Sequence, residues 1–218
     1  MGYILSDIVE KFLRYNVLVE DPYLKQLEQE ARQENIPIVR REVGQLLRLL
    51  TQIAKPQNIL EVGTAIGYST LWMAREAAAW GGTVTTIERN PQRRHRALQI
   101  FQEAQLERTV NSLLGDASNI LKDLQGPYQM IFVDAAKGQY LNWHPFLKKM
   151  LSSGGILVAD NVMFQGMVLP NSYLPRRQKT AVNRLRQYLK ELQRPPFTTV
   201  ILPLGDGVAV SLLQEELT

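Results

Sequence analysis

The sequence predicts an α/β protein built on a largely parallel sheet with helices on both faces. Short apolar stretches alternate with amphipathic ones from residue 58 to residue 192, and this alternation of strand and helix is typical of parallel sheets. The last two apolar stretches are joined by Gly205-Asp206-Gly207, which is a hairpin signal, so we expect an antiparallel C-terminal edge strand. No apolar stretch approaches the about 18 residues that a membrane-spanning helix needs, so we expect no membrane partner.

The beginning of the chain is predicted to form an N-terminal helical extension. Apolar residues recur at helical spacing among charged ones in residues 6–34, and Pro22 interrupts the pattern. The stretch around Pro37 is the strongest boundary signal in the chain. We therefore assign residues 1–35 to the extension and residues 36–218 to the main domain.

Strand and helix signals follow one another through the main domain. Strands are predicted over residues 58–63, 83–88, 110–114, 129–134, 155–160, 198–202 and 208–213. Helices are predicted over residues 42–54, 69–80, 91–104, 118–124, 140–150 and 180–192. Gly81-Gly82 ends one of these helices and Pro91 begins the next, as the preferences of glycine and proline at helix termini lead us to expect.

The composition is that of a globular protein with enough chain to bury a core. The chain has 218 residues, of which 45% are hydrophobic and 21% are charged. It contains no cysteine, which excludes thiolate metal sites and cysteine nucleophiles. Charged residues interrupt the apolar residues at the N-terminus, so we find no signal-peptide core and expect a cytoplasmic protein.

The positive charge is concentrated in one segment. The net charge is +4, and the stretch from Arg176 to Arg194 alone holds seven basic residues against one acidic residue. Such a patch favours a polyanionic partner, because neutralised phosphates release counterions when nucleic acid binds. A solvated helix face produces the same pattern, so both interpretations stay open at this point.

Acidic and glycine residues follow the first three predicted strands. The first strand ends in a glycine turn, EVGTAIGYS, that begins at Glu61 and feeds a helix, where free N–H groups and glycines allow a ligand to approach the backbone. The turn has the spacing G-x-x-x-G rather than G-x-G-x-x-G, which disfavours a dinucleotide cofactor and an oxidoreductase. Glu88 closes the second strand, where an acid can accept hydrogen bonds from ribose, and Asp116 follows the third.

Oxygen ligands lie at the ends of the next two strands. Asp134 ends the fourth predicted strand, Asp160 ends the fifth, and Asn161 follows directly. Carboxylate and amide oxygens suit Mg²⁺, Mn²⁺ or Ca²⁺ better than zinc, although Asp and Asn also commonly cap turns. Lys137 lies three residues beyond Asp134, and it is either an ordinary exposed lysine or a charge that lowers the pKa of a substrate hydroxyl.

Five motifs together carry a resemblance to a known family. They are EVGTAIGYSTLWMA, TTIERNP, GDA, IFVDAAKGQY and GGILVADNVMFQG, in this order at strand ends. They resemble the cation-dependent class I S-adenosylmethionine O-methyltransferases, which include the catechol and caffeoyl-CoA enzymes, from about Ile36 to the C-terminus. The resemblance implies the Rossmann-like seven-stranded sheet of that family. Within the family, VDAAKGQY, DNVMFQG and PLGDGVAVS most resemble the bacterial tRNA 5-hydroxyuridine methyltransferases.

The resemblance implies S-adenosylmethionine and a divalent cation, for which we expect Mg²⁺, as cofactors. The positions that match cofactor contacts are Val39, Glu61, Gly63, Ser69, Glu88, Asp116, Ala117 and Asp134. The positions that match metal ligands are Asp134, Asp160 and Asn161, and those that match catalytic positions are Asp134 and Lys137, the lysine helping to deprotonate the substrate hydroxyl. Many plant and animal relatives have Asp-Ala-Asp-Lys where this chain has Ala136 before Lys137, which argues against a caffeoyl-CoA or catecholamine substrate.

The function that the resemblance implies is methylation of 5-hydroxyuridine at the tRNA wobble position to 5-methoxyuridine, with the anticodon loop as partner. The alternative is methylation of catechol-like phenols, since both substrates carry two adjacent oxygens that one cation can bind. The candidate RNA contacts are Arg176, Arg177, Lys179 and Arg184. Apolar positions in the N-terminal helices, together with the resemblance, lead us to expect a homodimer.

Overall fold

The computed structural model describes residues 6–214, which begin with three helices. These are α1 (Asp7–Tyr15), α2 (Pro22–Glu34) and α3 (Arg41–Ala54). The carboxylate of Asp21 caps α2 by accepting hydrogen bonds from the backbone N–H groups of Tyr23 and Leu24, and Pro22 occupies the first helical turn, where no N–H is needed. The predicted break near Pro22 is therefore confirmed, and it has a capping residue as its cause.

The remaining elements alternate as the sequence predicts. The strands are β1 (Asn58–Val62), β2 (Thr83–Glu88), β3 (Val110–Leu114), β4 (Tyr128–Val133), β5 (Leu151–Ala159), β6 (Phe197–Leu202) and β7 (Val208–Leu213). The helices are α4 (Tyr68–Ala78), α5 (Pro91–Glu103), α6 (Ala117–Asp123), α7 (Tyr140–Met150) and α8 (Lys179–Leu192), with a 3₁₀ turn over Lys137–Gln139. Strand β5 begins four residues earlier than predicted. The sequence predicts a start at residue 155, because glycine is uncommon inside strands and Gly154 and Gly155 therefore mark a boundary.

The sheet has seven strands in the order β3-β2-β1-β4-β5-β7-β6. The first five in this order are parallel to one another, and β7 is antiparallel to both of its neighbours. The predicted antiparallel strand is present, but it lies inside the sheet and β6 forms the edge. The reason is burial: Val208, Ala209 and Ser211 of β7 are completely buried, whereas β6 exposes Thr198 and Val200.

Helices cover both faces of the sheet, as predicted. Neighbouring residues of β1 point to opposite faces, so Ile59 packs in the core with α2 to α5 while Leu60 packs in the core with α6 to α8. Leu24 and Leu27 of α2 belong to the first of these cores, which attaches the N-terminal extension to the main domain. Among residues 6–214, the helices lack the combination of length and apolar character that crossing a bilayer requires.

The register of the parallel strands brings their carboxyl ends into line. Val62 pairs with Ile87 on one side and with Val133 on the other, and Val133 pairs with Ala159. The residues that follow these strands therefore share one edge of the sheet. Because β1 lies between β2 and β4, the chain reverses its strand order here, and open α/β sheets bind ligands at such a point.

Candidate active site at the carboxyl edge of the sheet

A cavity of about 580 Å³ opens at this edge of the sheet. Its walls come from the ends of β1 to β5, from the segment before α3 and from the β6–β7 turn. The predicted site residues that line it are Val39, Gly63, Ser69, Glu88, Asp116, Ala117, Asp134, Lys137, Asp160 and Asn161. The structure thus gathers cofactor and metal candidates that lie up to 122 positions apart in the chain, from Val39 to Asn161, around one space.

The glycine turn after β1 leaves its backbone open to the cavity. Gly63 has a φ of +109°, and a Cβ atom there would lie 2.2 Å from the carbonyl oxygen of Asp134. Gly67 has a φ of +93°, and a Cβ atom there would lie 2.7 Å from the ring of Phe101. Both positions therefore require glycine, as the sequence motif indicates.

Glu61 is the predicted cofactor residue that does not line the cavity. Its carboxylate is completely buried and accepts hydrogen bonds from the hydroxyls of Ser69 (2.6 Å), Thr70 (2.5 Å) and Thr86 (2.5 Å). Burial, with a smaller contribution from the charge of Asp134, raises the pKa of Glu61 to about 7, although the hydrogen bonds from these hydroxyls oppose the effect. Glu61 therefore holds the start of α4 from a buried position behind the cavity wall, and Ser69 forms part of that wall.

Two acids lie at the end of the cavity formed by β2 and β3. The carboxylate of Glu88 accepts hydrogen bonds from the backbone N–H groups of Ala65 and Asn90, both at 2.8 Å. Asp116 caps α6 by accepting from the N–H of Ser118 at 2.7 Å, and this hydrogen bond lowers the pKa of Asp116. Both carboxylates are held by backbone groups, so their orientations are fixed.

Two carboxylates and one amide meet at the ends of β4 and β5. Asp160 is 1% exposed, and its Oδ1 accepts a hydrogen bond of 2.6 Å from the backbone N–H of Asn161. Asn161 adopts a φ of +57°, a left-handed conformation that Asn tolerates better than most residues. Burial, together with the charge of Asp134, raises the pKa of Asp160 to about 7. Burial also raises the pKa of Asp134, although Lys137 opposes the effect.

This donor set suits a hard divalent cation. Within residues 6–214 no three His, Cys, Asp or Glu side chains form a metal-binding cluster, so the candidate donors are two carboxylates and the amide of Asn161. The Nζ atom of Lys137 lies 3.6 Å from Oδ1 of Asp134. The single positive charge of Lys137 does not balance the negative charges of two carboxylates that are largely removed from water. A divalent cation would supply the missing positive charge.

The cavity also contains charged residues that are not among the predicted site residues. Arg40, Arg89, Arg93 and Asp206 all line it. Asp206 lies in the β6–β7 turn, and its Oδ1 accepts a hydrogen bond from the N–H of Gln165 at 2.7 Å. Its Gly-Asp-Gly stretch is a hairpin signal and part of the motif PLGDGVAVS, and Asp206 has no predicted site role. Arg40 and Arg89 directly follow Val39 and Glu88 in the chain, and this adjacency is the signal that could have indicated them.

The candidate RNA contacts lie outside the cavity wall. Arg176, Arg177 and Lys179 are exposed on the segment that leads into α8 and on its first residue. Arg184 is half-buried and donates a hydrogen bond of 3.3 Å to the carbonyl of Gly138, in the 3₁₀ turn that begins with Lys137. The first half of α8 is thus attached to the segment that carries Lys137.

Comparison with known proteins places this architecture in a family. Residues 15–213 match the sequence model described as O-methyltransferase. The chain is 39% identical over 130 residues to the catechol O-methyltransferase of Niastella koreensis, an alignment that spans 58% of each chain. It is 33% identical over 175 residues to the caffeoyl-CoA O-methyltransferase of Stellaria longipes, covering 76% of this chain and 71% of that enzyme.

A solved structure shows the same fold. The O-methyltransferase from Bacillus cereus, crystallised in complex with SAH, superimposes with a TM-score of 0.83 at 26% identity, covering 95% of this chain and 97% of that one. The chain therefore belongs to the class I S-adenosylmethionine-dependent O-methyltransferase family, of the type that includes the caffeoyl-CoA and catechol enzymes.

Proposed function

We propose that this protein transfers a methyl group from S-adenosylmethionine to a hydroxyl oxygen that has a second oxygen beside it, with Mg²⁺ held by Asp134, Asp160 and Asn161. The observation that carries the proposal is the buried carboxylate of Asp160 beside the partly buried carboxylate of Asp134, with the amide of Asn161. They lie in the wall of a cavity that also holds a glycine turn and the acid of Glu88. A bound divalent cation lowers the pKa of a hydroxyl that coordinates it and holds two adjacent oxygens in a fixed orientation.

The other cavity residues have separate tasks in this proposal. Gly63 brings backbone close to the methionine part of the cofactor, Glu88 accepts hydrogen bonds from the ribose, and Asp116 with Ala117 borders the adenine. Support comes from the relative that was crystallised with SAH and shares the fold. These residues hold the sulfonium methyl group in line with the attacking oxygen, which is the main requirement of a displacement at carbon.

Lys137 acts on the substrate hydroxyl. Its ammonium group lies beside Asp134 and lines the same cavity, so it stabilises the negative charge that develops on the substrate oxygen and helps the hydroxyl proton to leave to solvent. The new oxygen–carbon bond forms as the carbon–sulfur bond of the donor breaks. The products are the methyl ether, S-adenosylhomocysteine and one proton.

For the substrate, we propose 5-hydroxyuridine at the wobble position of tRNA. Its 5-hydroxyl lies beside the C4 carbonyl, so it offers the pair of oxygens, and an anticodon loop presents the base unpaired. The exposed cations Arg176, Arg177 and Lys179 lead into α8, which is attached to the turn of Lys137, and they are well placed for phosphates. A tRNA substrate would also agree with a cytoplasmic location.

A catechol-like phenol is the second candidate substrate. The observation that favours it is the similarity to enzymes named for catechol and caffeoyl-CoA, including 39% identity over 130 residues to the first. A phenol would need no phosphate contacts, so the basic segment before α8 would then be a solvated surface.

We test the proposal by transferring labelled methyl from S-adenosylmethionine to bulk tRNA from cells that lack this protein, in parallel with a simple catechol. Each reaction is run with Mg²⁺ and with EDTA. Label in tRNA that disappears with EDTA supports the tRNA substrate and the metal, and label in the catechol alone supports the second candidate. Transfer that is equally fast with EDTA contradicts the metal site.

A further inference from the structure

A buried carboxylate outside the cavity connects two of the cavity's walls. Glu28 of α2 is 5% exposed and receives four hydrogen bonds. Arg41 donates two of them, from Nε to Oε1 (2.7 Å) and from Nη2 to Oε2 (2.5 Å). The hydroxyl of Tyr68 donates to Oε1 at 2.7 Å, and Arg32 donates to Oε2 at 3.3 Å.

The two main partners of Glu28 belong to cavity segments. Tyr68 is the first residue of α4, directly after the glycine turn, and it is one of the residues that line the cavity. Arg41 is the first residue of α3, and it directly follows Val39 and Arg40, which both line the cavity. A single carboxylate on α2 therefore fixes the glycine turn and the segment before α3 relative to each other.

The contacts leave little freedom to these segments. Tyr68 is 1% exposed, so its hydroxyl would lose its acceptor without finding water if the carboxylate were absent. Burial raises the pKa of Glu28, but the hydrogen bonds from Arg41 and Tyr68 and the charges of both arginines outweigh that effect and hold the pKa below its ordinary value. The carboxylate is consequently ionised near neutral pH and makes charge-assisted hydrogen bonds.

We infer that Glu28 is a positioning residue for the cofactor, because it holds Tyr68 and the Val39–Arg40 segment in the arrangement that the cofactor needs. The inference rests on the proposed function, in that the cavity is taken to bind S-adenosylmethionine. It gives α2 a role in cofactor binding although α2 itself contributes no side chain to the cavity wall.

The same helix offers a matched control. Glu30 also lies on α2 and also pairs with an arginine, since Arg96 Nε donates to both of its oxygens at 2.8 to 2.9 Å. Arg96 lies on α5 and neither residue lines the cavity. Glu30→Gln therefore removes a comparable ion pair from α2 whose two members both lie outside the cavity wall.

The experiment measures the dissociation constant of S-adenosylhomocysteine by calorimetry for the full chain and for Glu28→Gln, Glu30→Gln and Tyr68→Phe, with circular dichroism to establish folding. Binding of S-adenosylhomocysteine by the unaltered protein tests the proposed function first. If the unaltered protein does not bind it, the proposed function is contradicted rather than the role of Glu28. We expect the dissociation constant and the KM for S-adenosylmethionine to rise about tenfold in Glu28→Gln with kcat retained, which is the size of one charge-assisted hydrogen bond. Glu30→Gln is expected to stay within about twofold of the unaltered protein.

The kinetic constants distinguish a positioning role from a loss of stability. A loss of stability would lower the fraction of active protein, and so the apparent kcat, and would leave the KM unchanged. A loss of positioning raises the KM and leaves kcat unchanged. If Glu28→Gln does not fold, Tyr68→Phe decides, because it removes a single hydroxyl and is expected to weaken binding in the same direction. Unchanged binding in every folded variant, or an equal loss in Glu30→Gln, overturns the inference.

Discussion

Asp160 is a buried side chain that affects the stability of the fold and also belongs to the proposed metal site. It is 1% exposed and lies beside Asp134, and burial together with that neighbouring charge raises its pKa to about 7. A group whose pKa is raised in the folded state contributes stability that is complete below its unfolded pKa, near 3.8, and that is lost as the pH rises through about 7. Above neutral pH the metal-free protein thus carries an unfavourable buried charge.

We predict that Asp160→Asn removes this charge and also removes the metal response. In EDTA at pH 8 the variant is expected to be more stable than the unaltered protein by about 1 kcal/mol, because a buried carboxylate is replaced by a neutral group of the same shape. The unaltered protein is expected to gain about 2.7 kcal/mol from Mg²⁺ at 100 times its dissociation constant, and the variant is expected to gain almost nothing.

Urea unfolding at pH 6 and pH 8, with Mg²⁺ and with EDTA, measures both effects. The advantage of the variant in EDTA is expected to shrink at pH 6, where Asp160 holds a proton. The assignment of Asp160 to the metal site is contradicted if Mg²⁺ stabilises the variant as strongly as it stabilises the unaltered protein. It is also contradicted if the variant transfers methyl at a near-normal rate when Mg²⁺ is limiting.

At the scale of one element, α8 and the segment before it combine two surfaces. Leu185, Tyr188 and Leu192 are completely buried in the core of one face of the sheet. The basic residues are not equivalent, because Arg184 and Arg186 donate to backbone carbonyls of neighbouring segments while Arg176, Arg177 and Lys179 are exposed. The exposed set at the start of the helix is the part of the patch that is available to a partner.

We predict that replacing Arg176, Arg177 and Lys179 together by Gln weakens tRNA binding and reduces its dependence on salt. Three lost phosphate contacts are expected to lower the slope of log K against log salt concentration by about 2. Methylation of a free catechol is expected to remain unchanged, since these side chains lie outside the cavity wall. Filter binding at several salt concentrations measures the slope.

A control with the same change in charge is available on the preceding helices. Lys122, Lys148 and Lys149 are exposed near the C-terminal ends of α6 and α7, the ends that point away from the cavity. Their replacement by Gln is expected to leave the salt slope within about one unit of the original. Equal slopes for both triple variants would show that the basic segment before α8 has no special part in RNA binding.

At the scale of the whole molecule, α1 exposes an apolar face through which two copies of the chain could associate. Ile8, Phe12 and Tyr15 share one face at helical spacing and are 81%, 63% and 78% exposed. Apolar surface on this scale next to an ordered core is typical of an interface, and we propose that it forms a homodimer. The hydrogen bond from Arg40 to Glu10 attaches α1 to the segment before α3.

We predict that Phe12→Ser shifts the protein from dimer to monomer, because it removes an exposed aromatic side chain from the centre of this face. Sedimentation velocity over a range of concentrations measures the shift. Val200→Ser on edge strand β6, where the side chain is 52% exposed, removes apolar surface elsewhere and is expected to leave assembly unchanged. A monomeric unaltered protein, or a dimer that Phe12→Ser does not weaken, contradicts the proposed face.

The order and type of the elements could be predicted from the sequence because their signals are local. Pro22 and Pro91 begin helices through their fixed φ, and alternating apolar stretches determine the parallel strands. The positions of Glu88, Asp134 and Asp160 at one edge follow from the same order, since parallel strands end together. The family motifs lie at these ends, so most of the cavity wall was predictable.

The tertiary structure alone decided the contacts between distant segments. It placed β7 inside the sheet, set Glu61 beneath the cavity instead of in its wall, brought Asp206 to the cavity and joined Glu28 to Tyr68 across 40 residues. These outcomes depend on which side chains fill the core together and on which buried polar groups find partners. Periodicity and turn chemistry determine each element by itself, whereas the partners of a buried carboxylate are fixed only when the whole core packs.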